Sequence, residues 1–399
     1  MKKILEGIKV LDLTQAYSGP FCCMHLADHG AEVIKIEPPN GDQTRNWGPL
    51  VNDYSGYYAY LNRNKRGLAI DLKTEAGKEV LTKLIKEADV IIENFKAGTF
   101  AKLGFTYKNM KEINPKIIYG QLTGFGLDGP MSSRAAYDIV AQAEGGYMSV
   151  NGFADKEPVK VGPCVADSFT GTFLSLAVMM ALFNRERTGE GSHVNVSMLD
   201  TMFSTLEGYV VEYTLTGRVP GRNGNRGTSM APWDLFTAKD GYFVAGCGTD
   251  KHWKLLCDVL GMDTLRDDPQ YSTASLRVKA ASYLKKCIEE KTALLTVAEI
   301  EEKLTTSGIP FGKVNDVSQV TNMEQIKHRN MLWEVFDPGF NQKFVMPGTP
   351  MKFNNSDDSV TCAAPTLGQH NSDILREIGY SEEEITVLIE SGILAQMSE

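Results

Sequence analysis

An α/β fold built on a doubly wound parallel sheet is what this sequence predicts, on three observations. Short apolar runs of strand length alternate with stretches of helical length. Gly and Pro residues such as Gly30 and Pro38-Pro39 separate them. The first run, residues 7–13, is apolar on both sides of the pleat, as a strand covered on both faces must be.

The elements follow in order. Residues 7–13 form a strand, 14–20 a turn and 21–29 a helix ended by Gly30. Residues 31–36 form the second strand and complete one βαβ unit. A strand at 68–72, a helix at 74–88 and strands at 89–93 and 116–122 continue the alternation, with helices expected on both faces. In such sheets ligands gather beyond the carboxyl ends of the strands. The loops after Leu13, Leu72, Glu93 and Leu122 are therefore the expected place for a site.

Near Gly217 the texture changes. Residues 217–227, rich in Gly, Arg and Pro, read as a linker, and 233–246 as a hairpin turning at Asp240-Gly241. Helical segments near 252–260, 275–290 and 297–307 complete a smaller α+β domain. The division expected is 1–200 for the large domain, 201–230 for a linker, 231–325 for the small domain and 326–399 for a second linker and a C-terminal return, with helices at 371–379 and 382–392.

Composition narrows the function. The 399 residues are 23% charged and 42% hydrophobic, as in soluble globular proteins, with room for a large core. A formal net charge of -9 argues against nucleic acid or an anionic membrane as partner, so an anionic ligand would need a local basic patch. The seven cysteines, with Cys22 and Cys23 adjacent, are spaced neither as a disulfide framework nor as a zinc site; a reducing compartment and no metal are expected. The stretch from Met1 to Gly7 lacks the long apolar segment of a signal peptide. The apolar run at 173–183, broken by Ser175, is too short to span a bilayer. A cytoplasmic protein is the expectation.

The chain's central feature is Val161-Gly162-Pro163-Cys164-Val165-Ala166-Asp167-Ser168, which leads into a helix expected to be buried on nearly all sides. Gly189, after Arg185 and Arg187, stops that helix with cations at its negative end. Asp167 therefore lies at the positive end, where free N–H groups and the dipole favour the ionised form. Two roles fit that position: a plain N-cap, or a nucleophile kept charged and partly dry.

Familiar constellations are missing. There is no Gly-x-Ser-x-Gly elbow, no Walker loop and no paired His at metal-helix spacing; the six His (His25, His29, His193, His252, His328, His370) are scattered. The first βα turn, residues 14–20, lacks the Gly-x-Gly-x-x-Gly pattern, which weakens a nicotinamide dehydrogenase. Positive charge clusters near the expected strand ends, in Arg63, Lys65, Arg66, Lys73, Lys96 and Lys102, with Phe95 offering a flat apolar face beside Asn94. Each lysine alone reads as solvated surface; together they suit a large anionic, nucleotide-bearing cofactor.

Several motifs carry a resemblance. Residues 7–13 and 30–37, Asn64-Lys65-Arg66, Asp71-Leu72-Lys73, Glu93-Asn94-Phe95, residues 124–130, Ala136-Tyr137-Asp138, Ala166-Asp167 and Leu367-Gly368-Gln369-His370 look like the class III CoA-transferase family, the group of formyl-CoA:oxalate and carnitine CoA-transferases. The resemblance covers nearly the whole chain in order. It implies a Rossmann-like large domain built from both chain ends, a small domain between them, and an interlocked homodimer. It also implies that Asp167 is the nucleophile. Coenzyme A would contact Tyr17, Ser18, Ile70, Asp71, Leu72, Lys73, Asn94, Phe95, Lys96, Lys102, Ala135, Ala136, Tyr137 and Asp138. The implied partners are an acyl-CoA donor and a carboxylic acid acceptor, with a short dicarboxylate as one of the acids.

The chemistry agrees with the residues. A carboxylate attacking a thioester needs no general base, which fits the missing His partner, but it needs oxyanion donors and exclusion of water. Gly-rich segments at 221–227 and 246–248 are candidates for a lid. Three departures bear on the substrate pair: Tyr17 stands where formyl-CoA transferases carry Gln, Pro38 stands where they carry Arg, and their run of consecutive glycines is missing. Two alternatives remain. α-Methylacyl-CoA racemases share the fold but use a His beside the Asp at the position of Asp138; here that neighbour is Tyr137, whose phenol, with a pKa of about 10, is a poor base. A non-catalytic acyl-CoA-binding protein is the other.

Overall fold

The computed structural model describes residues 3–356 and 359–395; Met1 and Lys2, which open the N-terminal stretch read above, lie outside them. The chain folds into two compact units. One comprises Met1–Tyr147, Val161–Gly208 and Glu324–Glu399, the other Met148–Lys160 and Tyr209–Met323. The stretch 201–230, expected as a linker, holds the helix Gly208–Thr216.

The larger unit contains a six-stranded parallel sheet. Its strands are β1 (Lys9–Asp12), β2 (Glu32–Glu37), β3 (Lys65–Ala69), β4 (Val90–Glu93), β5 (Ile118–Thr123) and β6 (His193–Ser197), in the order β3-β2-β1-β4-β5-β6. Val10 is in register with Val33 on one side and Val90 on the other. Alternate side chains serve two cores, one on each face. Val10, Val33, Val90, Ile92 and Ile118 pack with α1 (Ser18–Asp28), α3 (Asp138–Glu144) and α4 (Val165–Thr188). Leu11, Ile34, Leu68 and Ile91 pack with α2 (Glu75–Glu87) and the helices Asn371–Glu377 and Glu382–Glu390. The chain leaves β1 and β4 in opposite directions, which opens a crevice between their carboxyl ends.

Three expectations change. Strand β6 escaped notice because His193 and Asn195 alternate with Val194 and Val196, the pattern of a half-covered edge. The strand expected at 68–72 starts at Lys65, since the charges there are paired within the chain: Lys65 Nζ lies 2.8 Å from Asp12 and Arg63 pairs with Asp28 at 2.7 Å, both buried, while the partly exposed Arg66 bridges Glu32 and Glu377. Those three cations are committed to internal carboxylates rather than offered to a ligand. Helix α4 runs 24 residues and is, by length and composition, apolar enough to cross a membrane, so the shorter run read from the sequence understated it. Only one of its faces is covered. Ala166, Thr170, Leu174, Val178 and Arg185 are buried, while Phe169, Phe173, Leu176, Met180 and Phe183 are exposed.

The smaller unit is α+β. An antiparallel sheet of β7 (Trp233–Thr237), β8 (Tyr242–Gly246) and β9 (Phe311–Lys313), with β8 central, packs on the helices Asp250–Leu260, Ala281–Thr292 and Val297–Thr306 around Phe236, Phe243, Trp253, Leu284 and Ile300. None of the seven cysteines is joined in a disulfide among the described residues.

Candidate active site

Helix α4 starts after Gly162-Pro163 with Cys164 at its N-cap position, and Cys164 makes no side-chain cap. Asp167 sits inside the first turn, so it is not the cap. The cap comes from α3: Asp138 Oδ1 accepts from Ala166 N at 2.8 Å and from Asp167 N at 3.3 Å. Asp138 Oδ2 accepts from Gln142 Nε2 at 2.6 Å, and Gln142 Oε1 accepts from Val161 N at 2.8 Å. Both side chains are buried, and together they fix the segment that carries Asp167.

Asp167 itself is half-buried, and Oδ1 accepts a 2.5 Å hydrogen bond from Ser18 Oγ. Among the described residues it forms no ion pair. Burial pushes its carboxyl up to about 6; the Ser18 hydroxyl pulls the other way, and the Asp138 carboxylate adds to the rise. The expectation that the helix end favours the ionised form is thus outweighed, because the first-turn N–H groups face Asp138 and the site is short of water. Gly171, one turn on, lets α4 lie against α1: a Cβ there would collide with the Ser18 carbonyl oxygen.

The βα turn after β1 is held by its neighbours. Asn94, at the end of β4, accepts from Gln15 N at 2.8 Å and donates to Gln15 O at 2.7 Å, spanning the crevice where the strand order reverses. Ala16 takes a left-handed φ of 65°, which turns the chain into Tyr17 and Ser18. Ser168 Oγ donates to the Tyr17 hydroxyl at 3.2 Å. The Tyr17 ring stacks on Phe21 at 5.2 Å and lies 5.8 Å from Tyr57, itself 5.6 Å from Trp47, so an aromatic wall borders the carboxylate. Burial raises the Tyr17 and Tyr57 hydroxyls well above the usual phenol range, which keeps them as neutral donors.

The other residues singled out in the sequence follow the carboxyl ends of the strands, most of them in loops, with Lys102 ending the short helix Thr99–Lys102 and Asp138 opening α3. Ile70, Asp71, Leu72 and Lys73 follow β3; Asn94, Phe95, Lys96 and Lys102 follow β4; Ala135, Ala136, Tyr137 and Asp138 follow β5. They differ in what they offer. Ile70 is in the core, Asn94 is spent on Gln15, and Asp71 Oδ1 accepts from Lys73 N at 2.9 Å. Lys73, Lys96 and Lys102 are exposed, and none is in an ion pair among the described residues. Phe95 packs 6.0 Å from Phe100, and Tyr137 is 61% exposed. Asp138, Cys164 and Asp167 also bring one ligand atom each within 4.8 Å of one another, the one such set of metal-binding donors among the described residues.

Sequence reasoning missed Gln142, Trp47 and Tyr57. The signals were there: Gln142 follows Asp138 by four positions on a helix, and Trp47, Tyr54, Tyr57, Tyr58 and Tyr60 make residues 47–60 unusually aromatic.

Comparison with known proteins identifies the family and supports the fold. The family model of CoA-transferase family III matches residues 5–371. An acetyl-CoA:oxalate CoA-transferase of Acetobacter aceti is 37% identical over 94% of this chain and 96% of its own length. A succinyl-CoA:glutarate CoA-transferase of Mus musculus is 36% identical over 99% of this chain and 91% of its own. The crystal structure of a CAIB/BAIF family protein from Brucella suis superposes with a TM-score of 0.83 at 36% identity, covering 95% of this chain and all 100% of that one. With the parallel sheet, the crevice and a match along nearly its whole length, this chain belongs to CoA-transferase family III and is a CoA-transferase.

Proposed function

We propose that the protein moves coenzyme A between two carboxylic acids, with Asp167 as the nucleophile. The observation that carries this reading is a half-buried carboxylate with a hydroxyl for a partner and, among the described residues, no cation, set against the first residue of the helix that follows the central strand β1. A carboxylate so placed is poorly stabilised by its surroundings, and is correspondingly ready to share its charge with an acyl carbon.

Ionised Asp167 attacks the thioester carbon, expelling CoA thiolate and leaving a mixed anhydride. The thiolate then attacks the aspartyl carbonyl, giving an aspartyl-CoA thioester and releasing the donor acid. The acceptor carboxylate attacks that thioester, forms a second anhydride and frees the thiolate again. Attack of the thiolate on the new acyl carbon yields the product acyl-CoA and returns Asp167. No proton changes hands, so no general base is required.

In this reading coenzyme A lies along the segments that follow the strand ends, with Tyr17 and Ser18, residues 70–73, residues 94–96, Lys102 and residues 135–138 as its proposed contacts. Exposed Lys73, Lys96 and Lys102 suit its phosphates. Contacts at Ile70 and Asn94 would be made through the backbone, since their side chains are engaged elsewhere. Relatives named for oxalate and glutarate favour a short dicarboxylate as one acid. Against proton shuttling beside the thioester stand the exposed Tyr137 phenol and an Asp138 carboxylate already accepting from two backbone N–H groups.

A homodimer, interlocked as the family resemblance implies, belongs to this reading. Its support is the uncovered apolar face of α4, where Phe169, Phe173, Leu176, Met180 and Phe183 are exposed along one helix. A cytoplasmic location is favoured by seven cysteines that stand outside any disulfide among the described residues. Mass spectrometry after incubation with acyl-CoA tests the central claim: a covalent adduct is expected on the peptide holding Asp167, and its absence from the active enzyme would refute the mechanism.

A further inference from the structure

Building on Asp167 as nucleophile, we propose that Ser18 is a second catalytic residue, whose hydroxyl holds the negative charge that forms on Asp167 Oδ1 when the aspartyl carbonyl is attacked. Ser18 Oγ lies 2.5 Å from Oδ1, a charge-assisted contact. The same hydroxyl is 3.1 Å from the Asp167 backbone carbonyl oxygen; a hydroxyl has one proton, and the shorter contact to the charged oxygen takes it. Oδ2 accepts no hydrogen bond from a described residue.

The asymmetry assigns the two oxygens different tasks. A donor hydrogen bond lowers the nucleophilicity of the oxygen that receives it, so Oδ2 attacks the acyl carbon and Oδ1 becomes the carbonyl oxygen of the anhydride. When thiolate adds to the aspartyl carbon, a carbon–sulfur bond forms and the carbonyl π pair moves onto Oδ1, facing the Ser18 hydroxyl. Collapse restores the carbonyl and breaks the bond to Oδ2, which leaves with the donor acid. Attack of the acceptor carboxylate on the thioester raises charge on Oδ1 again, then expels thiolate and supplies Asp167 with a replacement oxygen. Ser18 thus serves the two steps centred on the aspartyl carbon, and the two steps centred on the acyl carbon draw on other donors.

The placement is preorganised. Ser18 is the first residue of α1, held by the left-handed turn at Ala16, by Asn94 on Gln15 and by the close approach at Gly171. It is 2% exposed, so water does not compete for the hydroxyl.

Two measurements decide it. The wild-type enzyme is cycled through many turnovers with an acceptor acid carrying heavy oxygen in its carboxylate, and the peptide with Asp167 is weighed. One heavy oxygen is expected, because Oδ1 never leaves; two would overturn the proposal. In Ser18→Ala, at saturating acyl-CoA and pH 8, formation of aspartyl-CoA slows about 100-fold relative to the first release of CoA thiol, and the second label enters. Aspartyl-CoA forming at the wild-type rate in that variant would equally overturn it. A wild-type enzyme that forms no adduct on Asp167 would instead refute the mechanism beneath, and the label count on wild type stands even if the variant folds poorly.

Discussion

Asp12, fully buried, and Asp167, half-buried, are two aspartates of the same unit, and they are treated in opposite ways. Asp12 ends β1 and receives Lys65 Nζ at 2.8 Å, together with the backbone N–H of Thr14 at 2.9 Å and its hydroxyl at 2.5 Å. Burial pushes its carboxyl up, but Lys65 and Lys35 outweigh that and hold it down at about 2. Asp167 has a hydroxyl and a second carboxylate for company, and rises to about 6. A buried charge met by cations becomes structure. One denied them is left with unspent reactivity, which a covalent mechanism can use.

The contrast can be broken by exchanging the fates of the two groups. Asp167→Asn should lower turnover by about 10⁴-fold or more and abolish the covalent adduct, while urea unfolding at pH 8 shows no loss of stability, since an uncompensated charge has been removed. A clear drop in unfolding free energy would mean that Asp167 is structural after all. Lys65→Met should do the reverse. Stranding Asp12 without its cation should cost about 3 kcal/mol in urea unfolding, and the folded fraction should keep its turnover.

The pH dependence sharpens the contrast further. Asp167 must be ionised to attack, so activity should fall as pH drops through about 6, well above the ordinary carboxylate range. Asp138→Asn removes the like charge and should move that limb to lower pH, as a rate profile from pH 4 to 8 would show. An unmoved limb would argue that burial alone sets it. For stability the signs differ. Asp12 is held below its unfolded value, so its contribution, about 2 kcal/mol, is present above about pH 4 and is lost as pH falls toward 2. Asp167 is raised, so its contribution is present below about pH 4 and is lost as pH rises through about 6. The smallest effect expected is at Lys96 or Lys102. Replacing either by Ala should raise KM for acyl-CoA about threefold at low salt and less at high salt, with kcat kept.

Local signals made much of the fold legible. The βαβ unit, the helix expected at 74–88 and found at Glu75–Glu87 behind a Thr74 cap, and the hairpin turning at Asp240-Gly241 are each specified by residues close in the chain. Asp167 stood out because Gly162-Pro163 and a long apolar helix frame it. Its environment did not. Arg63, Lys65 and Arg66 carry the charges a phosphate would want, and nothing local tells that Asp28, Asp12, Glu32 and Glu377 consume them. Apolar residues all round α4 suggested full burial, because periodicity reports what a helix must cover, not whether the same chain covers it.

By itself the sequence determined the kind of sheet, the family and the carboxylate to watch, since each rests on patterns written within a few turns of chain. Tertiary structure alone decided how that carboxylate behaves. Ser18 and Asp167 are 149 positions apart, Asp138 reaches the same turn from another helix, and Asn94 sets the turn before Ser18 from across the crevice. Proton affinity and reactivity depend on what lies within a few ångströms of an oxygen atom, and that is set by packing between distant segments.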